Sequence, residues 1–445
     1  MGADDGGGGS VDLASLLSVG VASAILAATT TAITFAAWVK RCAPPRLFFK
    51  DTAFNRNLLK SMPVLLRTYI PNLLSWNAHT AGFFGYVKLP GGFRPRKFER
   101  ITMADGGTVC LSWTSTPVDG DSIVLLLPGI NNDASMPYVR HLMKIIDDDS
   151  GLGHAAALDW RGLGEAGPLT STTCTPRPYC AVCAPDVAAV IAHLHTRYPS
   201  SPLYAVGFSL GAGMLLRHLG DTGGACLLRA AMVVSPAIDI RAGYKHMARG
   251  LRPLYFPVII FPLVHYLWRH RAELRTGPTP LHFWSVLRSA LCGANGMDEH
   301  VYSYLWGLPG GKEEYWDRGS AIHVLHRIRR TTLVVHSEDD PICPVGAMPL
   351  EDMAANPHLI TAITRHGGHM GYTAGLSPLK WTWTDRLLVH FLRHFESLPT
   401  HAESPKATGA GHADPCASDA GSSSPSSPHA VDTPVVPIIS VPSRL

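Results

Sequence analysis

The chain has 445 residues, of which 46% are hydrophobic and 16% charged, and carries a formal net charge of +4. This composition suits a large buried core plus some membrane-facing surface. The small charge, with no basic block interleaved with aromatics, argues against a nucleic-acid partner, and nine scattered cysteines, an odd number, argue against a secreted disulfide framework.

In chain order, residues 1–12 form a flexible start whose "MGADDG" lacks the Ser or Thr of a myristoylation signal at its sixth position. From Leu13 to Trp38 the chain carries no charge. At 1.5 Å per helical residue that run is long enough to cross a hydrocarbon layer of about 30 Å. With no basic leading region, a retained transmembrane anchor over 13–38 is expected rather than a cleaved signal. Asp4 and Asp5 precede the run, and Lys40, Arg41, Arg46 and Lys50 follow it. The positive-inside rule then predicts a single-pass protein with its bulk on the cytosolic side, in the endoplasmic reticulum or another endomembrane.

Strands are predicted at 122–128 ("SIVLLLP"), 155–160 ("AAALDW"), 203–208 ("LYAVGF"), 230–235 ("AAMVVS"), 331–337 ("TTLVVHS") and 359–364 ("LITAIT"). Such short apolar runs suit strands buried on both faces. Helical patterns at 185–198, 210–220 and 383–398 alternate with them, which predicts a mostly parallel sheet covered by helices. Residues 236–330 are far more than one crossover needs and read as an inserted cap. Within it, "PLYFPVIIFPLVHYLW" (253–268) is broken by Pro253, Pro257 and Pro262. It reads as a lid or interfacial segment lining an acyl pocket, with an ordinary buried cap helix as the alternative and a re-entrant or spanning element as the lesser option. Residues 399–445, rich in Ser, Pro, Ala, Gly and His, read as a disordered tail. Its Ser443-Arg444-Leu445 approaches the peroxisomal Ser-Lys-Leu address, a lesser option beside an N-terminal span.

The chemistry centres on "GFSLG" (207–211). A serine hydroxyl needs a base, a group to orient that base, and donors for the oxyanion. A strand-to-helix turn sharp enough to expose Ser209 needs small residues two positions to either side, which Gly207 and Gly211 supply. Such an elbow expects an acid and then a histidine later in the chain. "HSEDDPICP" (336–344) follows a predicted strand and offers Glu338, Asp339 and Asp340; the rigid turn at Pro341 favours Asp340, with Asp339 the rival. "RHGGHMGY" (365–372) follows the last strand, and its paired glycines favour His369 over His366 as the base. Oxyanion donors are expected from the N–H of Leu210 and from the loop "PGINN" (128–132), with Ile130 the candidate. Cys180 and Cys183 form a lone CxxC, and the 22 histidines include no HExxH. No metal or cofactor is expected.

With these residues placed, the chain resembles the α/β-hydrolase superfamily in its YheT-like, embryogenesis-associated branch. The likeness covers residues 45–398 and runs through "LFFKDTAFNRNLL", "SWNAHT", "LPGI", "DWRGLG", the block 175–220, "SEDDPICP" and "HGGHMGY". It implies an α/β-hydrolase fold and esterase or phospholipase activity on lipid-like esters, and an N-terminal anchor of the kind phospholipase-type members carry. It places the family triad on Ser209, Asp340 and His369. Some relatives hold the catalytic domain on the lumenal side, opposite to the charge-based orientation. Ala212 stands where relatives often have a second glycine, and "NAHTAG" (77–82) departs from their usual His-Leu-Gln-Thr. The expected activity is a membrane-anchored serine hydrolase with a lipid-ester substrate and the bilayer as partner. An acyltransferase using the same acyl-enzyme, or a catalytically silent membrane scaffold, are the alternatives.

Overall fold

In the computed structural model the described residues are 42–399, apart from 88–92, 150, 170–175, 250–254 and 277–278, together with 21, 25–26, 28–34 and 36. The chain separates into two compact units, Met1–Ala43 and Pro44–Leu445. In the first, residues 28–34 are helical. The expected span over 13–38 lies largely outside the described residues, and among those described no helix is long and apolar enough to cross a membrane. The expected tail and its terminal Ser443-Arg444-Leu445 also lie outside them, Pro399 excepted.

The second unit is built on a nine-stranded sheet with the order β1-β9-β8-β7-β6-β4-β5-β3-β2. Six strands form a parallel centre: β4 (Ile123–Leu127), β5 (His154–Asp159), β6 (Leu203–Phe208), β7 (Ala230–Val234), β8 (Thr331–Ser337) and β9 (Leu359–Thr364). The sequence marks all six. Three antiparallel strands that it does not mark complete the edges: β1 (Arg46–Phe49) beside β9, and β2 (Lys97–Thr102) and β3 (Thr108–Trp113) beyond β5.

The parallel strands are largely apolar because both their faces are covered. Along β4, Leu125 and Leu127 enter one core while Val124 and Leu126 enter the other, the period-2 alternation of a strand. The first core is closed by helices α4 (Ala184–Arg197) and α5 (Leu210–Thr222), the second by α1 (Ala53–Ser61), α3 (Pro137–Asp148) and α11 (Trp383–Glu396). Helix α11 starts in a capping box. The Asp385 N–H donates to the Thr382 hydroxyl at 3.0 Å, and the Thr382 N–H donates to the Asp385 carboxylate at 2.6 Å.

Helix α2 (Ala78–Tyr86) precedes β2. Between β7 and β8 the chain makes a long helical excursion through α6 (Ile240–Met247), α7 (Tyr255–Arg269), α8 (Phe283–Leu291) and α9 (Gly311–Gly319), and α10 (Leu350–Ala355) precedes β9. Because β4, β6, β8 and β9 run parallel, the loops leaving their carboxyl ends all emerge on one edge of the sheet. In open α/β sheets that edge is where ligands bind.

Candidate active site

Strand β6 ends at Phe208 and α5 starts at Leu210, so Ser209 alone makes the turn, with φ 52° and ψ −116°. A non-glycine residue in that region is strained and is held there by its surroundings. The Ser209 N–H donates to Val234 O at 3.0 Å, and its carbonyl accepts from the N–H groups of Gly213 and Ala237. The flanking glycines are steric requirements. A Cβ on Gly207 would lie 2.7 Å from Ala212 Cα, and one on Gly211 would lie 2.4 Å from the carbonyl oxygens of Leu127 and Pro128.

Three loops converge on this turn. The Ser209 hydroxyl donates to His369 Nε2 at 2.8 Å, and His369 Nδ1–H donates to Asp340 Oδ2 at 2.9 Å. With Asp340 ionised, only the tautomer protonated on Nδ1 satisfies both contacts. Asp340 is 3% exposed, and its Oδ1 also accepts the N–H groups of Ile342 and Cys343, each at 2.9 Å. Burial pushes this carboxyl up, but the His369 charge and hydrogen bond, the His336 ring and the Cys343 N–H outweigh it and hold Asp340 below its ordinary value.

The rival acids have other partners. Asp339 accepts the Gly368 N–H at 2.8 Å and faces His366 at 3.6 Å, while Glu338 pairs with Arg46 at 2.7 Å. Asp340, Cys343 and His369 lie close enough to be read as a metal cluster. They do not suit one: Asp340 is already committed to His369 and two amides, and burial pushes the Cys343 thiol well up, keeping it protonated. Cys180 and Cys183 are buried at the entry to α4, with their sulfurs 4.0 Å apart.

The loop after β4 passes directly beside the serine, and a Cβ on Gly129 would be 3.2 Å from Ser209 Cβ. Gly129 is clamped from two sides. Its N–H donates to the Tyr138 hydroxyl at 3.0 Å and its carbonyl accepts from the Tyr179 hydroxyl at 3.4 Å. The Gly129 N–H is therefore taken, and the next amide along is that of Ile130. Among the described residues, neither the Ile130 nor the Leu210 N–H has an acceptor.

Several positioning residues carry no motif. The Ser337 hydroxyl donates to Gly368 O at 2.8 Å, and the Met370 N–H donates to the Ser235 hydroxyl at 3.1 Å. Both brace the histidine loop. Helix α2 packs backbone to backbone on the same loop: a Cβ on Gly368 would stand 2.2 Å from Ala78 O, and one on Gly371 would stand 2.5 Å from Ala81 O. The glycine pair of "GFFGY" (82–86) is the one local hint of such a close approach.

A cavity of about 510 Å³ opens beside the serine, walled by α2, α7 and the loops after β4, β8 and β9. Phe83, Ile130, Val258, Ile259, Pro262, Ile342 and Met370 make it largely apolar, with Ser209 and His369 reaching its wall. His79 on α2 and Tyr255 on α7 close one side through a 2.5 Å hydrogen bond.

Comparison with known proteins gives the family. Residues 121–274 match the Hydrolase_4 family model, described as serine aminopeptidase, S33. The mouse (Mus musculus) protein Phospholipase ABHD3 is 26% identical over 359 residues, 78% of this chain and 84% of its own. Embryogenesis-associated protein EMB8 of Picea glauca is 27% identical over 370 residues, covering 77% of this chain and 76% of that protein. Monoacylglycerol lipase ABHD2 of Danio rerio is 30% identical over 368 residues, 78% of this chain and 83% of that protein. The chain belongs to the α/β-hydrolase superfamily, in the embryogenesis-associated branch that includes these proteins, and is an ester-hydrolysing serine hydrolase.

Proposed function

We propose that the chain is a membrane-anchored serine hydrolase that cleaves carboxylic esters of lipids through an acyl-enzyme, with residues 13–38 as its anchor and the excursion between β7 and β8 as its cap. The observation that carries this reading is a Ser209 hydroxyl, already hydrogen-bonded to His369, facing a largely apolar cavity of about 510 Å³. The relatives named above, a phospholipase and a monoacylglycerol lipase, point to the same substrate class. Each methylene of an acyl chain buried there contributes about 0.8 kcal/mol to binding.

In the proposed reaction Ser209 Oγ attacks the ester carbonyl carbon as His369 Nε2 takes the hydroxyl proton. Asp340 keeps the ring oriented and stabilises the imidazolium that forms. The Leu210 and Ile130 N–H groups receive the charge that develops on the carbonyl oxygen. As the tetrahedral adduct collapses, the C–O bond to the alcohol breaks and His369 returns its proton to that oxygen. Water then attacks the acyl-Ser209 carbonyl, gives a proton to Nε2, and releases the fatty acid as the proton returns to Ser209.

The test exposes the full chain, in membranes, to a fluorophosphonate probe and to phospholipid and monoacylglycerol esters. Labelling and fatty-acid release are both expected, and both are lost in Ser209→Ala. Absence of labelling in correctly folded wild type, or label retained by Ser209→Ala, refutes the role of Ser209. Release of short soluble acids without any lipid cleavage refutes the lipid assignment.

A further inference from the structure

Helix α7 is apolar on both faces. Ile260, Leu263, Tyr266 and Leu267 are buried, yet Val258 and Phe261 on the opposite side are 67% and 70% exposed, and Trp268 is 45% exposed. A helix at an aqueous surface normally turns polar residues outward. Helix α8, packed against α7, repeats the pattern with Trp284 at 77% and Leu291 at 88% exposure. Val258 also lines the catalytic cavity, and across the mouth Phe83 of α2 lines it while 62% exposed. The apolar strip is thus continuous with the entrance to the site.

The charge on the α6–α8 part of this excursion is one-sided. Between Ile240 and Met297 the sequence holds eight Lys or Arg and a single acid, Glu273, so this segment alone is more positive than the whole chain at +4. Glu273 is itself turned to His270 at 3.4 Å. Arg269, Arg271 and Arg275 sit exposed at and just beyond the end of α7, and Arg288 lies exposed on α8 between Trp284 and Leu291. The Arg271 guanidinium lies 4.4 Å from the Trp268 ring centroid. Exposed aromatics flanked by arginines are the chemistry of an interface helix, with rings at headgroup depth and guanidinium groups on lipid phosphates.

We infer that the outer faces of α7 and α8 form a docking surface for an anionic lipid bilayer, seated so that the cavity mouth between Phe83 and Val258 opens into the acyl region. This deepens the lipid-ester reading and rests on it for the use of the mouth. A zwitterionic surface would engage the aromatics alone; the arginines make the surface selective for anionic headgroups. Lipid esters would then pass from the bilayer to Ser209 without crossing water.

The test uses the full-length Ser209→Ala protein in vesicles of phosphatidylcholine with or without phosphatidylserine. The first readout is quenching of tryptophan fluorescence by brominated acyl chains. Phosphatidylserine is expected to deepen the quenching, and Trp268→Phe/Trp284→Phe is expected to remove the added part. The second readout uses the protein with Ser209 intact and compares a bilayer ester with a short soluble ester. One cationic side chain near an anionic leaflet is worth about fivefold in partitioning, so Arg269→Gln/Arg275→Gln/Arg288→Gln should cut the phosphatidylserine-dependent turnover by at least about tenfold. Turnover of the soluble ester should be unchanged.

Quenching that is indifferent both to phosphatidylserine and to the tryptophan substitutions overturns the docking surface. So does a detergent-stable dimer of the chain that the same substitutions dissolve, because the face would then belong to a second copy. Failure of the functional reading looks different: quenching responds as expected while neither ester is cleaved.

Discussion

Gly85→Ala tests whether α2 positions the histidine loop. A methyl group at Gly85 would lie 2.4 Å from Gly371 Cα and 2.5 Å from Met370 O, where ordinary contact is 3.4–4 Å. Both opposing atoms are backbone, so no side chain can swing away, and relief requires the loop and helix to separate by about 1 Å. His369 is anchored in that loop, and its Nε2 stands 2.8 Å from Ser209 Oγ. An added ångström carries the pair beyond hydrogen-bond range. A misplacement of that size costs about 10²-fold in turnover, and the overpacking itself costs about 1–3 kcal/mol of stability. Gly82→Ala is the matched control, since its methyl would meet His369 O at 3.3 Å, a contact relieved by a few tenths of an ångström. Turnover of a soluble ester and the rate of fluorophosphonate labelling measure the chemistry, while thermal melting followed by circular dichroism measures the fold. The expected result is a large kinetic defect in Gly85→Ala with the fold retained, and a mild one in Gly82→Ala. A Gly85→Ala protein with wild-type turnover and melting temperature would show that the helix does not set the position of His369.

The two neighbouring aspartates should separate sharply in a kinetic comparison. Asp340→Asn removes the carboxylate that fixes the Nδ1–H tautomer and should lower kcat by about 10⁴-fold. Asp339→Asn keeps an oxygen for the Gly368 N–H and should cost only a few-fold; equal losses would refute the assignment. Asp340 is held below its ordinary value when folded, so its contribution to stability is present above the unfolded carboxylate value and is lost as pH falls through the lower folded one. The melting-temperature gap between wild type and Asp340→Asn should therefore narrow on acidification below about pH 4. Asp298 behaves in the opposite sense. Burial raises it to about 7, only partly countered by the Trp316 N–H, Tyr244 and the Lys312 charge. The folded state then keeps a proton that the unfolded chain releases from about pH 4, so stability falls between about pH 4 and pH 7. Asp298→Asn should remove that fall, gaining melting temperature over wild type as pH rises through this window. A gap that does not change with pH would refute the buried protonated state.

What the sequence discloses follows from which interactions are local. The six parallel strands are legible because each is buried on both faces and so centres on a short apolar run, as "LYAVGF" and the "LVV" within "TTLVVHS" do. Strands β1 to β3 are not legible. In β2, "KFERIT" is partly exposed along its length, with Lys97 and Arg100 facing solvent, and its strand character comes from pairing with β3. Ser209 and His369 stand out because the turn geometry each needs is encoded by adjacent glycines. The choice between Asp339 and Asp340 is different. Both lie on one loop within reach of the histidine loop, and only the side-chain directions send Asp339 to Gly368 N and Asp340 to the imidazole.

The cavity wall was least visible of all. Helix α2 meets the histidine loop across 286 residues of sequence, Gly85 against Gly371, and contact at that separation leaves no periodic signal, only the spacing of Gly82 and Gly85. The same separation has a chemical consequence. In the proposed reaction the groups that break the ester sit on loops of the sheet, whereas the exposed apolar residues at the mouth, Phe83 and Val258, come from α2 and α7, outside the sheet. Substitutions of Phe83 and Val258 themselves should alter which esters are accepted, through KM, while leaving the rate of fluorophosphonate labelling at Ser209 unchanged. That outcome would show chemistry and selectivity to be separable by position.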